Sequence, residues 1–291
     1  MKSFMAQKRH IHFIGIGGIG MSGMAELLYN HGFKISGSDI NISDRTLHLS
    51  KIGIDIFKGH KKENISGCDL IVYSSAINNK NEEIQLGIKK NIPIIKRSEL
   101  LGELIKIKDI SIGVSGTHGK TTTSSMLGSI LYEANLNPTL IIGGIVNKFN
   151  SNVISGDGNI IVVEADEFDR SFLSLNPTYS IINNLDLEHL DCYKNLEDLQ
   201  TAFIQFANSV PFYGLVSLCA DSKNANDILK YINRPFITFG TRKNVNVQAS
   251  DIRYAEFSST FKLNYNNKYL TTICLNMPGK HNVLNALGAI S

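Results

Sequence analysis

The chain has 291 residues, is 43% hydrophobic and carries a formal net charge of +3. This length allows two domains, because single hydrophobic cores stop growing near ~250–300 residues. The positive charge is mild and scattered, which argues against a nucleic-acid partner, and no run of about 20 apolar residues is present to cross a membrane. The four cysteines are widely spaced and form no CxxC pair, which favours a reduced cytoplasmic protein over a disulfide framework or a zinc site.

The N-terminal part of the chain alternates strand-like apolar runs with helical patterns, which is typical of a parallel sheet. We predict strands at residues 10–16, 33–38, 69–74 and 92–95, and a helix at 20–30. A charged stretch at 106–109 is the expected boundary. Residues 1–108 are therefore predicted to form a Rossmann-like α/β domain with a parallel sheet.

A glycine-rich turn joins the first strand to the first helix, with the sequence Gly15-Ile16-Gly17-Gly18-Ile19-Gly20. It matches GxGxxG, and Asp39 follows the second strand at roughly the 20-residue spacing expected of a ribose-binding acid. Glycines let the backbone approach a diphosphate at a helix N-terminus, whichever nucleoside is attached. The turn alone indicates NAD only weakly, since a UDP-sugar suits it equally and a tightly packed turn needs glycine as well.

The rest of the chain restarts the alternation, and residues 109–291 are predicted to form a P-loop ATPase-like α/β domain. The expected strands cover 110–114, 159–163, 179–183, 215–219 and 236–239, and the expected helices cover 120–135 and 196–208. Residues 247–274 alternate like an added antiparallel meander, with a turn signal at 264–267. The final residues, GKHNVLNALGAIS, open another helix.

The most informative stretch is ISIGVSGTHGKTTTSSM, at residues 110–126. Gly119, Lys120 and Thr121 enter the first turn of a helix, where backbone N–H groups cradle phosphates, the lysine adds charge and the threonine hydroxyl can ligate Mg²⁺. The strict P-loop pattern has a glycine where this chain has Val114, so the match is incomplete. We predict a nucleoside triphosphate site here, rather than a strand-to-helix turn without a ligand.

Acidic residues follow the strand at 159–163: Glu164, Asp166, Glu167 and Asp169. Four carboxylates repel one another without a cation. They therefore favour a Mg²⁺ site, with Glu164 as the first ligand, over a solvated acidic loop.

Two later polar groups are weaker signals. His189 follows the strand at 179–183, at the edge where ligands collect in open α/β sheets, and is predicted to contact a second Mg²⁺ or the substrate. His281 and Asn285 have helical i, i+4 spacing and suit an adenine edge. A polar helix start with an asparagine cap explains that pair equally well.

These blocks occur together and in the same order in the Mur ligases of peptidoglycan synthesis, and the chain resembles that family over nearly its whole length. The segments that carry the resemblance are FIGIGGIGMSGMAELL, YSSAI, IPIIKRSELLGEL, GTHGKTTT, EADE and HNVLNALGAI. Within the family, the chain looks most like the ligases that join L-alanine to UDP-N-acetylmuramate. The resemblance implies that UDP-N-acetylmuramate, L-alanine and ATP are substrates and that Mg²⁺ is the cofactor.

The resemblance also implies roles for individual residues. The implied UDP-sugar site consists of Gly17, Gly18, Ile19, Gly20, Asp39, Ser74, Ser75 and Arg97. The implied ATP site consists of Gly116, Thr117, His118, Gly119, Lys120, Thr121, Thr122, His281, Asn282 and Asn285. The implied metal ligands are Thr121, Glu164 and His189, and the implied catalytic residues are Lys120, Glu164 and His189.

The implied reaction has two steps. The muramoyl carboxylate attacks the γ-phosphorus of ATP to give an acyl phosphate, and the amine of L-alanine then displaces phosphate. The chain departs from the family pattern at Glu188, where relatives commonly carry aspartate, and at Phe168 and Arg170, where small residues are common.

Mur ligases have a third, C-terminal domain that binds the amino acid, whereas this chain ends at Ser291, inside the helix that contains HNVLNA. We therefore expect that domain to be absent, and residues 1–291 to bind nucleotides but to ligate weakly or not at all. A monomer or homodimer in the cytoplasm is expected.

Three other functions stay open. The nearest is a related ligase that attaches a recovered tripeptide to the same sugar nucleotide. An NAD-dependent dehydrogenase explains GxGxxG and Asp39 but leaves GTHGKTTT without a role. The third is a non-catalytic nucleotide-binding module.

Overall fold

The structure is a computed structural model that describes residues 10–146, 151–188 and 192–291. The chain forms two compact units, Met1–Ile107 with Thr139–Gly156, and Lys108–Pro138 with Asp157–Ser291. Within the described residues, none of the helices combines the length and the apolar character that a bilayer-spanning segment requires.

The strands and helices are numbered in chain order. The strands are β1 (His10–Ile14), β2 (Lys34–Asp39), β3 (Asp55–Lys58), β4 (Leu70–Tyr73), β5 (Ile94–Lys96), β6 (Ile110–Ser115), β7 (Thr139–Val146), β8 (Ser151–Ile154), β9 (Ile160–Glu164), β10 (Tyr179–Ile182), β11 (Leu215–Cys219), β12 (Phe236–Gly240), β13 (Val247–Tyr254), β14 (Ser259–Tyr265) and β15 (Lys268–Leu275). The α-helices are α1 (Ile19–Asn30), α2 (Asp44–Lys51), α3 (Glu82–Lys89), α4 (Arg97–Leu104), α5 (Lys120–Glu133), α6 (Leu196–Ser209), α7 (Lys223–Asp227) and α8 (Lys280–Ile290).

The first unit contains a parallel sheet with the strand order β3-β2-β1-β4-β5. β1 is central and buried along its whole length. Ile14, Ile71 and Ile84 belong to one core cluster, which seats α3 on the sheet. The strand order changes direction between β1 and β4, and such a switch point opens a crevice at the carboxyl ends of the strands. The predicted Rossmann-like parallel sheet is confirmed.

A hairpin formed by β7 and β8 belongs to the first unit, although the sequence analysis assigns residues 139–156 to the second domain. It packs on α1. Asn152 donates a hydrogen bond to the carbonyl of Ile19 at 3.0 Å. A Cβ at Gly23 of α1 would lie 2.2 Å from Cγ2 of Val153, so this close approach requires glycine.

The second unit contains the strand order β15-β14-β13-β12-β11-β10-β6-β9. β9, β6, β10, β11 and β12 are parallel neighbours, whereas β13, β14 and β15 pair as an antiparallel meander. Asn266 and Asn267 have φ values of 48° and 64°, the left-handed conformation that a two-residue hairpin turn requires. The predicted α/β domain with an added meander is confirmed.

A cluster of phenylalanines anchors the segment that follows β9. The ring centroid of Phe172 lies 5.1 Å from those of Phe203 and Phe206, which project from α6. All three rings are buried. Phe172 is part of a short 3₁₀ helix, Phe168–Ser174, so the packing fixes the position of the acidic residues at the end of β9.

Candidate functional site

The first phosphate-binding loop lies at the carboxyl end of β1, beside the point where the strand order switches. Gly15 has a φ of 79°, which turns the chain sharply out of the strand. The N–H groups of Gly15 and Ile16 both donate to the carbonyl of Ser38, at 2.8 and 3.1 Å. The N–H of Gly17 donates to Oδ2 of Asp39 at 2.8 Å. The end of β2 therefore holds the first three residues of the loop.

The other residues of the implied UDP-sugar site gather around the same loop. A Cβ at Gly15 would lie 3.2 Å from Cβ of Ser74, and one at Gly20 would lie 3.1 Å from Nη1 of Arg97. Ser75 is the exposed neighbour of Ser74. Gly18 precedes the 12-residue helix α1, whose first N–H groups and macrodipole favour an anion.

The second phosphate-binding loop joins β6 to α5 and depends on two glycines. Gly116 has a φ of 135°, and a Cβ there would lie 3.0 Å from Cβ of Asn183. Gly119 has a φ of 80°, and a Cβ there would lie 2.3 Å from Oδ1 of Asn285. A side chain at Gly119 would collide with Asn285, one at Gly116 would be tightly packed, and either would strain the backbone.

Residues that follow β10 hold this second loop in place through hydrogen bonds. The N–H of His118 donates to Oδ1 of Asn184 at 2.7 Å, and Nδ2 of Asn184 donates back to the carbonyl of His118 at 3.0 Å. The Thr117 hydroxyl donates to the carbonyl of Asp186 at 3.1 Å and accepts from its N–H at 2.9 Å. These hydrogen bonds, with one from the N–H of Thr117 to the carbonyl of Asn184 at 3.2 Å, preorganise the loop for binding.

Lys120 and Thr121 contact different carboxylates of the acidic segment that follows β9. Nζ of Lys120 donates to Oε2 of Glu167 at 2.8 Å and lies 3.7 Å from Oδ1 of Asp166. Oγ1 of Thr121 lies 3.0 Å from both carboxylate oxygens of Glu164. The lysine thus supplies positive charge to the acidic cluster. From the sequence, we predict only a metal ion as the cation there.

The residues present fit a Mg²⁺ ion that takes only part of its coordination from protein. In the described part of the chain, no three His, Cys, Asp or Glu side chains converge closely enough to hold a metal. The hydroxyl of Thr121 and the carboxylate of Glu164 are adjacent oxygen donors at the end of β9. Mg²⁺ in nucleotide sites takes one or two protein ligands and completes its shell with phosphate oxygens and water. Thr121 and Glu164 suit that arrangement.

Arg170, one of the departures from the family pattern, anchors the acidic segment. Its Nη2 donates to Oδ2 of Asp198 at 2.5 Å, and its guanidinium carbon lies 4.9 Å from the ring centroid of Tyr193. The Tyr193 hydroxyl donates to the carbonyl of Glu167 at 2.6 Å. The arginine therefore braces Glu167, which is the partner of Lys120.

His189, the predicted second metal or substrate contact, lies outside the described residues. Its neighbour Glu188, which the family resemblance marks as a departure, is described. Oε1 of Glu188 lies 3.3 Å from Nε2 of His118 on the second loop. The carboxylate of Glu188 therefore reaches the second phosphate-binding loop.

A cavity of about 850 Å³ opens beside the second loop. It brings His281 and Asn285, both predicted adenine contacts, to the same space as Thr122. Asn282 does not line this cavity, and its Nδ2 donates to the carbonyl of Pro278 at 2.8 Å, just before α8 begins. The lining residues are His118, Gly119, Thr122, Asn183, Asn184, Asp186, Cys219, Asp221, Ser222, Lys223, Asn224, Phe239, Lys280, His281, Leu284 and Asn285.

Comparison with known proteins decides the family. Residues 10–108 match the Mur ligase family, catalytic domain, and residues 114–291 match the Mur ligase middle domain. The chain belongs to the Mur ligase family.

Two curated relatives are UDP-N-acetylmuramate–L-alanine ligases. The protein of Desulfatibacillum aliphaticivorans is 45% identical over 285 residues, which cover 98% of this Mur ligase chain and 62% of the relative. The protein of Chlorobium chlorochromatii is 46% identical over 288 residues, which cover 99% of this chain and 62% of the relative. This chain thus spans 62% of the length of these two relatives.

Solved structures agree with the family. The UDP-N-acetylmuramate–alanine ligase of Thermotoga maritima has a TM-score of 0.83 and 32% identity, over 97% of this chain and 64% of that one. The UDP-N-acetylmuramate:L-alanyl-γ-D-glutamyl-meso-diaminopimelate ligase of Neisseria meningitides has a TM-score of 0.88 and 28% identity, over 97% of this chain and 92% of that one. The resemblance drawn from the sequence motifs is confirmed.

Several residues of this Mur ligase site escape the sequence analysis. Asn183 and Asn184 sit against the glycines of the second loop, and their signal is a polar pair directly after an apolar strand. Asp221 follows β11 in the same way and lines the cavity. Its Oδ1 accepts from the N–H of Thr241 at 2.8 Å, and its Oδ2 lies 3.2 Å from Nζ of Lys280.

Asp221 is the acidic anchor of the cavity wall. Burial alone would raise the pKa of its carboxyl, but hydrogen bonds from Thr241 and Lys280 outweigh burial and lower that pKa. The carboxylate therefore contributes stability above its ordinary pKa of 3.8, and this contribution is lost as the pH falls through the lower folded-state value.

Replacing Asp221 with alanine is expected to lower the free energy of unfolding at neutral pH by about 2 kcal/mol, because Thr241 and Lys280 lose a buried acceptor. Urea denaturation of both proteins measures the difference, which should shrink as the pH approaches 3.8 and falls below it. Asp227→Ala, at an exposed aspartate of α7, is the matched control and should change stability by less than about 0.5 kcal/mol. A difference that stayed constant with pH would show that the carboxylate charge is not its source.

Proposed function

We propose that this Mur ligase chain binds UDP-N-acetylmuramate at the first loop and Mg·ATP at the second, for ligation of L-alanine to the muramoyl carboxylate. The observation that carries the proposal is the presence of both loops in a chain that is 45% identical, over 98% of its length, to a UDP-N-acetylmuramate–L-alanine ligase. The protein acts on nucleotide-linked precursors, so we assign it to the cytoplasm.

The chemistry that such a ligation requires explains the two loops. A carboxylate is a poor acyl donor because oxide would have to leave. Phosphorylation supplies a better leaving group, which the amine of L-alanine then displaces. The first step brings two anions together, and electrostatic stabilisation is the main contribution that a protein makes to phosphoryl transfer.

Lys120 is the residue that meets this electrostatic demand. Its ammonium group lies at the N-terminus of α5, within 2.9 Å of the carbonyl of Gly116 and 2.8 Å of Glu167. We assign it to the β- and γ-phosphates of ATP. Thr121 and Glu164 would hold Mg²⁺, which when bound neutralises charge on the transferred phosphoryl group.

The cavity beside the loop suits the nucleoside of ATP. Its volume of about 850 Å³ lies within the usual range for small-molecule sites. Amide and imidazole groups of Asn285 and His281 face it and provide hydrogen-bonding partners for a base edge.

The first loop suits the diphosphate of the sugar nucleotide. The loop leads directly into the N-terminus of α1 at Ile19, and Arg97 supplies a cation next to Gly20. Arginine forms strong paired hydrogen bonds with phosphate and carboxylate groups. We assign Asp39, Ser74 and Ser75 to the same ligand, with Asp39 also shaping the loop.

Calorimetric titration tests the first half of the proposal. The protein should bind UDP-N-acetylmuramate and Mg·ATP, each at one site, and should not bind NADH. Binding of NADH in place of UDP-N-acetylmuramate would support the dehydrogenase instead.

A second candidate is ligation of a tripeptide to the same sugar nucleotide. It is the activity in the name of the Neisseria meningitides ligase, which specifies L-alanyl-γ-D-glutamyl-meso-diaminopimelate, and the TM-score to that ligase is 0.88. Phosphate release from Mg·ATP with UDP-N-acetylmuramate should depend on added L-alanine and not on that tripeptide. A preference for the tripeptide would overturn the choice of L-alanine.

A further inference from the structure

A group of buried polar side chains lies on the face of the first sheet that α3 covers. The group consists of His12, Ser38, His60, Asn64 and Glu83, and is called here the Glu83 cluster. His12, Ser38 and Glu83 are each 0% exposed. The proposed substrate sites use none of these side chains, so their presence in a hydrophobic core needs another explanation.

Glu83 is the centre of the cluster. Its Oε2 accepts from the Ser38 hydroxyl at 2.7 Å, and its Oε1 accepts from Nδ2 of Asn64 at 2.6 Å. Burial alone would raise the pKa of Glu83, but the adjacent His12 imidazole and the hydrogen bonds from Ser38 and Asn64 outweigh burial and lower that pKa. Glu83 is therefore a buried carboxylate whose oxygens are met by donors.

The hydrogen-bond directions around Ser38 follow from its single proton. Ser38 donates that proton to Glu83, so its oxygen accepts from Nδ1 of His60, which lies 2.8 Å away. Nδ1 of His60 also lies 3.4 Å from Oε2 of Glu83. The Ser38 hydroxyl is thus held from two sides and has one orientation.

A second chain of hydrogen bonds orients His12 towards Glu83. Burial lowers the pKa of His10, so neutral His10 donates from Nδ1 to the carbonyl of Gly67 and accepts at Nε2 from the Ser36 hydroxyl. Ser36 in turn accepts from Nδ1 of His12. Nε2 of His12, which is fully buried and has no hydrogen-bond partner in the described part of the chain, then faces Oε1 of Glu83 at 3.7 Å.

Ser38 connects the cluster to the first phosphate-binding loop. Its carbonyl accepts from both N–H groups that begin the loop, those of Gly15 and Ile16. The next residue, Asp39, binds the N–H of Gly17 through its carboxylate and the N–H of Gly59 through its carbonyl. The residue that anchors the loop is therefore the one whose side chain Glu83 holds.

We propose that Glu83 is a positioning residue for the UDP-sugar site, which acts through the Ser38 hydroxyl to fix the carbonyl that holds the phosphate-binding loop. This inference rests on the proposed function, since it concerns the same ligand. It differs from a purely structural role because it predicts a selective effect on the first loop.

Two serines of β2 provide a matched pair of variants. Ser36 and Ser38 lie on the same face of the same strand, are both buried and both bind a histidine, but only Ser38 touches Glu83 and the loop. Ser38→Ala should raise the Kd for UDP-N-acetylmuramate about tenfold, whereas Ser36→Ala should change it less than about twofold. Neither should change the Kd for Mg·ATP. Equal weakening of sugar-nucleotide binding by both variants would overturn the proposal.

Glu83→Gln is the second variant, and it keeps the shape of the side chain. The amide presents N–H groups to Ser38 or Asn64, which are already donors, so the hydrogen-bond order fails without creating a cavity. Glu83→Gln should weaken UDP-N-acetylmuramate binding about as much as Ser38→Ala does. Ser38→Thr retains a hydroxyl, so it should bind UDP-N-acetylmuramate more tightly than Ser38→Ala.

Hydrogen exchange of the Gly15 and Ile16 amides gives a readout that needs no ligand. These amides should exchange about tenfold faster in Ser38→Ala and Glu83→Gln than in the wild type or Ser36→Ala. Unchanged exchange in both variants would refute the positioning role. If the wild type failed to bind UDP-N-acetylmuramate while the exchange pattern held, the proposed function would fail and the coupling of Glu83 to the loop would stand.

Discussion

Replacing Gly119 with alanine is expected to weaken ATP binding about 100-fold. The residue has a φ of 80°, which costs a non-glycine residue about 1–2 kcal/mol. The added Cβ would also lie 2.3 Å from Oδ1 of Asn285, so either the loop or this cavity-lining amide must move. Losing that hydrogen-bonding group adds about 1 kcal/mol. Calorimetric titration with Mg·ATP measures the effect.

Gly32→Ala is the matched control for backbone strain. Gly32 has a φ of 87°, and a Cβ there meets nothing within 4 Å. The two variants therefore impose similar strain, and only Gly119→Ala disturbs a binding loop. ATP affinity should stay within about twofold of the wild type in Gly32→Ala. An equal loss of ATP affinity in both variants would mean that the second loop does not contact the nucleotide.

Replacing Lys120 with alanine is expected to reduce ATP-dependent phosphoryl transfer by about 100-fold or more, while UDP-N-acetylmuramate binding persists. The variant removes the cation assigned to the phosphates. It also takes the lysine away from Glu167, whose side chain is 1% exposed, so a loss of stability is expected as well. Phosphate release and calorimetric binding of each nucleotide measure the separate effects.

The double variant Lys120→Ala/Glu167→Gln separates the two roles of the lysine. Glutamine removes the buried negative charge, so thermal stability should recover relative to Lys120→Ala. Phosphoryl transfer should not recover. If the double variant regained activity, the role of Lys120 would be to neutralise Glu167 and not to bind phosphate.

The two loops were predictable because their constraint is local. Gly119-Lys120-Thr121 and the Gly15–Gly20 turn each join a strand to a helix, and the left-handed glycines at Gly15 and Gly119 satisfy the turns that the sequence indicates. The turn at Asn266 and Asn267 was equally local. The antiparallel meander and both sheets followed from alternation.

Elements that depend on tertiary contacts were not predictable in the same way. β3 is a four-residue, mostly exposed strand with no apolar alternation, and it is placed by pairing with β2. The β7–β8 hairpin joins the first unit because Gly23 lets it approach α1, which is a contact distant in sequence.

The candidate site also contains residues whose roles depend on tertiary contacts and not on local sequence. Asp221 and Glu83 are ordinary acids in the sequence, and their roles come from partners such as Lys280 and Ser38, which lie elsewhere in the chain. Asn282 sits in a motif that implies nucleotide contact, but its amide is used by Pro278 at the start of α8. Residue type alone does not distinguish a ligand contact from a hydrogen bond within the protein.

The central claim is that two separate polyphosphate sites are built into this one chain. Titration of Mg·ATP into protein already saturated with UDP-N-acetylmuramate, followed by the reverse titration, tests it most directly. We expect each nucleotide to bind with a stoichiometry of one and neither to displace the other. Competition between them, or no heat of binding for Mg·ATP in either experiment, would show that the chain does not hold two separate polyphosphate sites.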